Sequence, residues 1–537
     1  MKKVILCMAL LLIVVLIAAC GRGNNGGTNG AGQGQGQGPQ VPELGDNLVL
    51  PLVEQPVTFT VWTVLSNLMG SQLEALHESY YYQELARRTN VHIEFMHPPA
   101  GGEQESLNLI IAAGDIPDVM ELQHPAIVPA GGLSRAIQDG LLLDVRELVE
   151  NYAPYYWNAI HSTEDRRRNS FTDEGYLPGF WQLKVHQPPW FGMATRQDWL
   201  DELGLDMPIT YDDWHHALSL FRDEFGATAP MMLPMSGFVL FDSFHAGFDF
   251  SPNFFQVNGE VRYGPLEPGF RDYIYMMAEW FADGLIDPDF SSRAFFAAPQ
   301  DFTTTGLAGL WQDIYVLFPI NNLVAPDPSF RTVAVPPPVR YVGQTVHLSQ
   351  SNPPTDFLWT VTTSNHDPVL FMRWMNYNFS HEGFMLANWG IEGETFEFDA
   401  NGNPQFMPKI YDNPDGFAFV DALRRYVRPP SGGIYYDWHR ELTPGIPQDV
   451  YDAPGIWESN VDFAFIMPPI TLSADESVEF SRIMADVNTH RDEMVARFIT
   501  GSEPMANFDD FIATLHNMGV ERAIELQQGA LDRYHDR

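Results

Sequence analysis

The spacing of apolar and polar positions changes period repeatedly along this chain, and each change marks a strand or a helix. Thr58–Thr63 (Thr-Phe-Thr-Val-Trp-Thr) is short and rich in β-branched and aromatic residues, which predicts a first strand. A polar-aromatic helical stretch over Gln72–Thr89 follows, and Val91–Phe95 predicts a second strand. Leu107, Ile110 and Ile111 fall at helical spacing, and Gly114 is placed to end that helix. Asp118–Leu122 predicts a third strand. Strand–helix–strand order with short connections predicts an α/β, mostly parallel sheet with helices on its faces. In such sheets ligands sit beyond the carboxyl ends of the strands.

The middle of the chain repeats this pattern. Thr210-Tyr211-Asp212-Asp213 reads as a capping box, and Trp214, Ala217, Leu218 and Phe221 follow at i, i+3, i+4 and i+7. Ile274, Met277, Ala278 and Phe281 repeat the spacing, with Gly284 closing the helix. Asp367-Pro368 opens another, with Leu370, Phe371 and Trp374 on one face. Trp199, Trp214 and Trp280 sit on such apolar faces and are expected in the core. Proline pairs and runs at Pro336–Pro338, Pro353–Pro354 and Pro429–Pro430 are candidate crossovers or loops.

The N-terminus has a different character. Lys2 and Lys3 precede the uncharged apolar run Val4–Ile17, and small residues follow at Ala18 and Ala19. The run is short and ends at a cleavage-type site, so residues 1–19 read as a secretory signal rather than a spanning helix. Leu16-Ile17-Ala18-Ala19-Cys20 resembles a bacterial lipobox, which implies lipid on Cys20 as the mature N-terminus; ordinary secretion is the alternative. Residues 21–40 are nearly all Gly, Asn and Gln and cannot bury enough apolar surface to fold. Over ~20 residues such a tether reaches on the order of 25 Å. Residues 20–50 are therefore expected to be lipidated cysteine plus tether, holding a globular body above the extracellular face of the cell membrane.

Composition narrows the function. Of 537 residues, 69 are Asp or Glu and 30 are Lys or Arg, a formal net charge of −39. That excludes nucleic acid as a non-specific partner, because replacing counterions needs basic surface. Two cysteines, Cys7 and Cys20, exclude a disulfide scaffold or a cysteine-rich zinc site. Enzyme signatures are absent: no Gly-x-Ser-x-Gly elbow, no phosphate-binding Walker loop and no His-Glu-x-x-His. His215 and His216 are adjacent and point to different helix faces. Asp399-Ala400-Asn401-Gly402-Asn403 starts like a calcium loop, but the twelfth position is Ile410, so a β-turn is expected and no metal or cofactor. Arg166-Arg167-Arg168 reads as a solvated helix or loop face, with contact to an acidic sugar as the alternative.

Several phrases together resemble the family 1 extracellular solute-binding proteins of ABC importers. They are Ala112-Ala113-Gly114-Asp115-Ile116-Pro117-Asp118-Val119, Thr195-Arg196-Gln197-Asp198-Trp199-Leu200 with Pro208-Ile209-Thr210, Gly284-Leu285-Ile286-Asp287-Pro288-Asp289-Phe290, and Pro468-Pro469-Ile470-Thr471-Leu472-Ser473. The resemblance implies a two-lobe fold of the periplasmic-binding-protein type with a hinge. Lobe one is expected from 51–170 and about 350–390, and lobe two from 171–345 and 391–537. It further implies a non-enzymatic monomer that captures a sugar or oligosaccharide in the cleft and passes it to permease subunits. A peptide or signal receptor on the same fold, or a surface polysaccharide-degrading enzyme, are the alternatives.

Sugars present C–H faces to aromatic rings and hydroxyls to amides and carboxylates. On that chemistry and the resemblance together, the expected ligand-binding residues are Trp62, Gln123 and His124 at strand ends, Trp181 after the lobe crossing, Arg196 ahead of a helix, Trp311 and Asp313 from lobe two, and Asn388 and Trp389 at the return crossing; the alternatives are a core position for each tryptophan and a pairing of Arg196 with Asp198.

Overall fold

In a computed structural model, the described residues are 44–65, 73–99, 101–123, 127–184, 189, 191–239, 244–293, 299–348, 355–412, 419–441 and 448–537. Cys7, Cys20, the tether and His124 lie outside them. Among the described residues the strands, in chain order, are β1 Val57–Trp62, β2 Val91–Met96, β3 Val119–Gln123, β4 Gly179–Lys184, β5 Phe191–Arg196, β6 Met231–Met232, β7 Phe254–Val257, β8 Glu260–Tyr263, β9 Leu310–Ile314, β10 Thr332–Ala334, β11 Val346–His347, β12 Thr355–Val361, β13 Phe396–Phe398, β14 Pro404–Phe406, β15 Tyr435–Tyr436 and β16 Val461–Asp462. Among the described residues, no helix is long and apolar enough to cross a membrane.

The strands form two principal sheets. The first has the order β15-β4-β12-β3-β1-β2 and the second β10-β5-β9-β6. In the first, β1 pairs in parallel with β2 and β3, and β15 with β4, while β12 runs antiparallel to both β3 and β4. In the second, β6 and β9 are parallel, and β5 runs against both β9 and β10. The reversed strands have a topological cause. β12 begins where β4 ends, with Thr355 opposite Leu183. Likewise β5 begins where β9 ends, with Phe191 opposite Ile314. A chain that leaves one sheet at the carboxyl ends of its strands and enters the other at the corresponding edge must run against the strands that point there.

Each sheet has its own core. Phe59, Val61, Val119, Leu122, Phe180, Leu183, Leu358 and Val361 build the first, which helices cover on both faces. Met193, Leu310 and Met231 face a second core with Trp214, Phe221, Ile274 and Phe498; Ala194, Trp311 and Met232 face a third on the opposite side of the same sheet. β4 and β15 thus belong to the first sheet and core, beyond a boundary at 170/171. Their six and two residues are all buried.

Local sequence logic explains the helices. Thr210 caps residues 211–225, accepting from the Asp213 N–H, and Asp213 returns a bond to the Thr210 N–H. Gly114 closes residues 103–113 with φ 76°, a left-handed conformation that favours glycine. Asp367 accepts from the Leu370 N–H ahead of Pro368. The first helix after β1 begins later than its pattern predicts, at Tyr80, because Ser79 caps it after a short 3-10 turn at residues 76–78. In residues 268–282 the buried stripe is Phe270, Tyr273, Ile274, Met277 and Trp280, so the face is rotated from the 274/277/278/281 set. Trp199, Trp214 and Trp280 are core residues, as their spacing predicts. Asp399 accepts from the Asn401 and Asn403 N–H groups in the turn between β13 and β14, the β-turn expected there.

Candidate ligand-binding site

Because β1, β3, β4 and β15 run in one direction, their carboxyl ends share one edge of the first sheet. β6, β9 and β10 do the same in the second. Lys184 ends β4 at the edge of the first sheet and Phe191 opens β5 at the edge of the second, so consecutive strands of the chain stand at these two edges. What stands there is aromatic, hydroxylic and acidic.

Tyr436, in β15, donates its phenol to Glu441 Oε1. Tyr315, directly after β9 in the second sheet, donates to Glu441 Oε2 at 3.1 Å. One carboxylate therefore accepts from both sheets. Burial pushes both phenols well above the ordinary tyrosine range, and the neighbouring Glu441 charge adds to this, so both remain donors. Trp438, two residues after β15, is half-buried and packs against both the first and the third cores. Its ring lies 4.1 Å from His439, whose Nδ1 is 2.9 Å from Asp437 Oδ1. Trp457 closes the second-sheet side. Its indole N–H donates to the Met193 carbonyl at 2.8 Å, and its ring lies over Gly192, where a Cβ would come within 2.6 Å of ring atoms. Glu458 follows, its carboxyl raised to about 7 by burial.

The residues singled out in the sequence occupy other surroundings. Trp62 ends β1 but is 1% exposed, in the first core, its indole N–H 3.4 Å from Ser106 Oγ. Trp181 lies in the same core and donates to the Ser170 carbonyl at 3.0 Å. Helices cover both faces of this sheet, so a strand-end tryptophan turns into packing instead of onto an open edge. Arg196 is 2% exposed, bonded through Nε to Asp198 at 2.8 Å and held between the rings of Trp199 and Phe330, each at 4.3 Å. Trp311 is fully buried in the third core and donates to Asp313 Oδ2 at 2.9 Å. Asp313 also accepts from the Ile314 N–H and from Asn321 Nδ2, both at 2.8 Å. Burial raises its carboxyl to about 6 against the opposing pull of these bonds. Asn388 ties the Phe384 and Tyr435 carbonyls and accepts from the Asp437 N–H. Trp389 packs on Phe406 at 4.8 Å and donates to Asp437 at 3.3 Å. Gln123 ends β3 at the edge itself. Asn388 and Trp389 thus converge on Asp437, directly behind Trp438, while Trp311 and Asp313 support Tyr315. Of the arginine run, Arg166 donates to the Lys184 carbonyl and Arg167 pairs with Glu164, so these cations are engaged.

The profile of the bacterial extracellular solute-binding protein family matches residues 74–380, more than half of the chain. The chain belongs to this family. Solute-binding proteins of known structure share its two-lobe fold. An HMO-binding ABC-transporter-associated solute-binding protein from Bifidobacterium longum infantis superposes with a TM-score of 0.72 at 17% identity, over 90% of this chain and 99% of that one. The alginate-binding protein AlgQ2 superposes with a TM-score of 0.68 at 21% identity, over 90% and 99% respectively. In sequence, the fructooligosaccharide ABC transporter substrate-binding protein FusA of Streptococcus pneumoniae is 21% identical over 500 residues, 85% of this chain and 87% of its own. As family relatives these are binding proteins, not enzymes.

Proposed function

We propose that this solute-binding protein captures a sugar or oligosaccharide between its two lobes and delivers it to the permease of an ABC importer. The observation that carries this reading is the shared carboxylate of Glu441, which joins the carboxyl edges of the two sheets beside the half-buried Trp438. Tyrosine hydroxyls, a carboxylate and an aromatic face are the groups a hydroxyl-rich ring needs. FusA, alike over most of both chains, supports a carbohydrate as the ligand class. Trp438, Tyr315, Tyr436, Glu441 and Gln123 are the proposed ligand-side groups, with Asp313, Asn388 and Trp389 positioning them.

In this reading lobe one is built on the first sheet and lobe two on the second, and capture favours the closed arrangement because the ligand contacts both. The protein acts as a monomer held at the extracellular face by lipid on Cys20. A thermal-shift panel of neutral oligosaccharides, oligogalacturonates and peptides tests the reading, since a ligand raises stability by mass action. A glycan that raises the melting temperature in a saturable way is expected. A shift with peptides and none with any glycan would replace sugar capture by a peptide-receptor function.

A further inference from the structure

Arg440 lies two residues after Trp438 and directly before Glu441, in the 3-10 turn that follows β15, yet it is 2% exposed. Its Nη1 donates to the Arg428 carbonyl at 2.7 Å and to the Ala387 carbonyl at 3.3 Å, and its guanidinium carbon lies 4.3 Å over the Tyr436 ring. The first bond closes residues 428–440 into a loop that carries β15 and Trp438. The second ties this loop to the helix His381–Asn388, which ends at Asn388 and Trp389. The loop is also anchored in the sheet. The Gly432 N–H donates to Glu121 Oε1 of β3 at 3.0 Å, and the Gly432 carbonyl accepts from Arg428 Nη2 at 2.7 Å. A Cβ at Gly432 would come within 2.4 Å of the Trp359 backbone nitrogen, so the backbone there lies directly against β12.

We infer that Arg440 is a positioning residue of the ligand site, which fixes Trp438 as a stacking face and Glu441 as an acceptor before the ligand arrives. This role rests on the sugar-capture reading. Short 3-10 turns have poor hydrogen-bond geometry, so the orientation of the turn 438–441 depends on what its side chains hold. Burying a cation carries a large desolvation cost, which a loop that only covered a sheet would avoid with an apolar side chain. A guanidinium donates within its plane while its face lies on a ring, whereas an ammonium is a point charge, so arginine joins the two carbonyls to Tyr436 in a way that lysine does not. Tyr436 in turn donates to Glu441, so the contact with Arg440 reaches the site directly. A ring and a carboxylate already in place spare the ligand the cost of ordering them.

The test is a coupling measurement by titration calorimetry with neutral oligosaccharides, kestose among them, with melting temperatures recorded alongside. Arg440→Lys keeps the charge and loses the fork. It should lower glycan affinity at least about fivefold in the unsubstituted background, and less than about twofold where Trp438→Ala and Glu441→Gln are already present, because nothing is left to position. An equal fold-loss in both backgrounds would mean that Arg440 supports the fold in general, and would overturn the inference. So would a lower melting temperature with affinity unchanged. Arg440→Met repeats the comparison if Arg440→Lys does not fold, and failure of both to fold would assign the residue to the fold alone and overturn the inference as well. If the unsubstituted protein binds no glycan, the sugar-capture reading falls and takes the inference with it. If it binds and Arg440→Lys binds equally, only the inference falls.

Discussion

Tyr315 donates its phenol to Glu441 across 126 positions of sequence, at 3.1 Å, and so joins the end of a second-sheet strand to a carboxylate already held by Tyr436 of the first sheet. The bond belongs to the arrangement in which the two edges meet, and a state that separates them must break it. Hydrogen bonds to charged groups are worth about 1.5–3 kcal/mol when shielded, and less with the partial exposure found here. Tyr315→Phe should therefore weaken glycan binding about three- to tenfold with little change in fold. A double-mutant cycle with Glu441→Gln should return a coupling on the order of 1 kcal/mol. Strictly additive effects would show that the two groups do not act together.

Trp311 is a structural residue on its geometry. It is fully buried in the third core and satisfies Asp313. Trp311→Ala should cost about 3–5 kcal/mol, the range for large aromatic truncations in cores. Urea unfolding measures this. A loss below about 1 kcal/mol would mean that the ring is not packed as described.

Asp313 supplies a pH signature. Its carboxyl is raised to about 6 by burial, against about 3.9 for an unstructured aspartate. The folded state thus binds the proton more tightly. Its contribution is fully present below pH 4, is lost as pH climbs through 6, and is flat above. Relative to Asp313→Asn, the unsubstituted protein should lose on the order of 2 kcal/mol between pH 4 and pH 7. Unfolding free energies of both proteins across that interval decide it; a constant gap would contradict the raised pKa.

Anchorage rests on residues outside the folded body. Cys20→Ser should abolish lipid labelling and release the protein to the medium or leave it unprocessed. A variant that stays membrane-bound and lipid-labelled would refute the lipobox reading.

Much of the scaffold was legible because its signals are local. Thr210 with Asp213, Asp367 ahead of Pro368 and Gly114 each specify a helix end within a few residues, and the first three strands follow their β-branched runs. The antiparallel entries of β5 and β12 were not legible, because they follow from where the chain crosses between sheets, which no local period records. The site was legible only in its type of chemistry. A tryptophan at the end of a predicted strand reads as edge-facing, yet Trp62 is drawn into the first core, as is Trp181 from within β4. Tyr315, Trp438 and Glu441 lie in short 3-10 turns without periodicity, and their relation spans separate parts of the chain. The one sequence signal was the aromatic run Tyr435-Tyr436-Asp437-Trp438.

The measurement that bears most directly on the central claim is titration calorimetry of the purified protein with a neutral oligosaccharide, alongside Trp438→Ala. One-to-one binding at micromolar affinity or better is expected, about −8 kcal/mol at 1 μM, with weak salt dependence because no ion pair holds a neutral ligand. Removing the Trp438 ring should cost at least tenfold in affinity. Equal affinity in Trp438→Ala, or heat only from peptides, would contradict it.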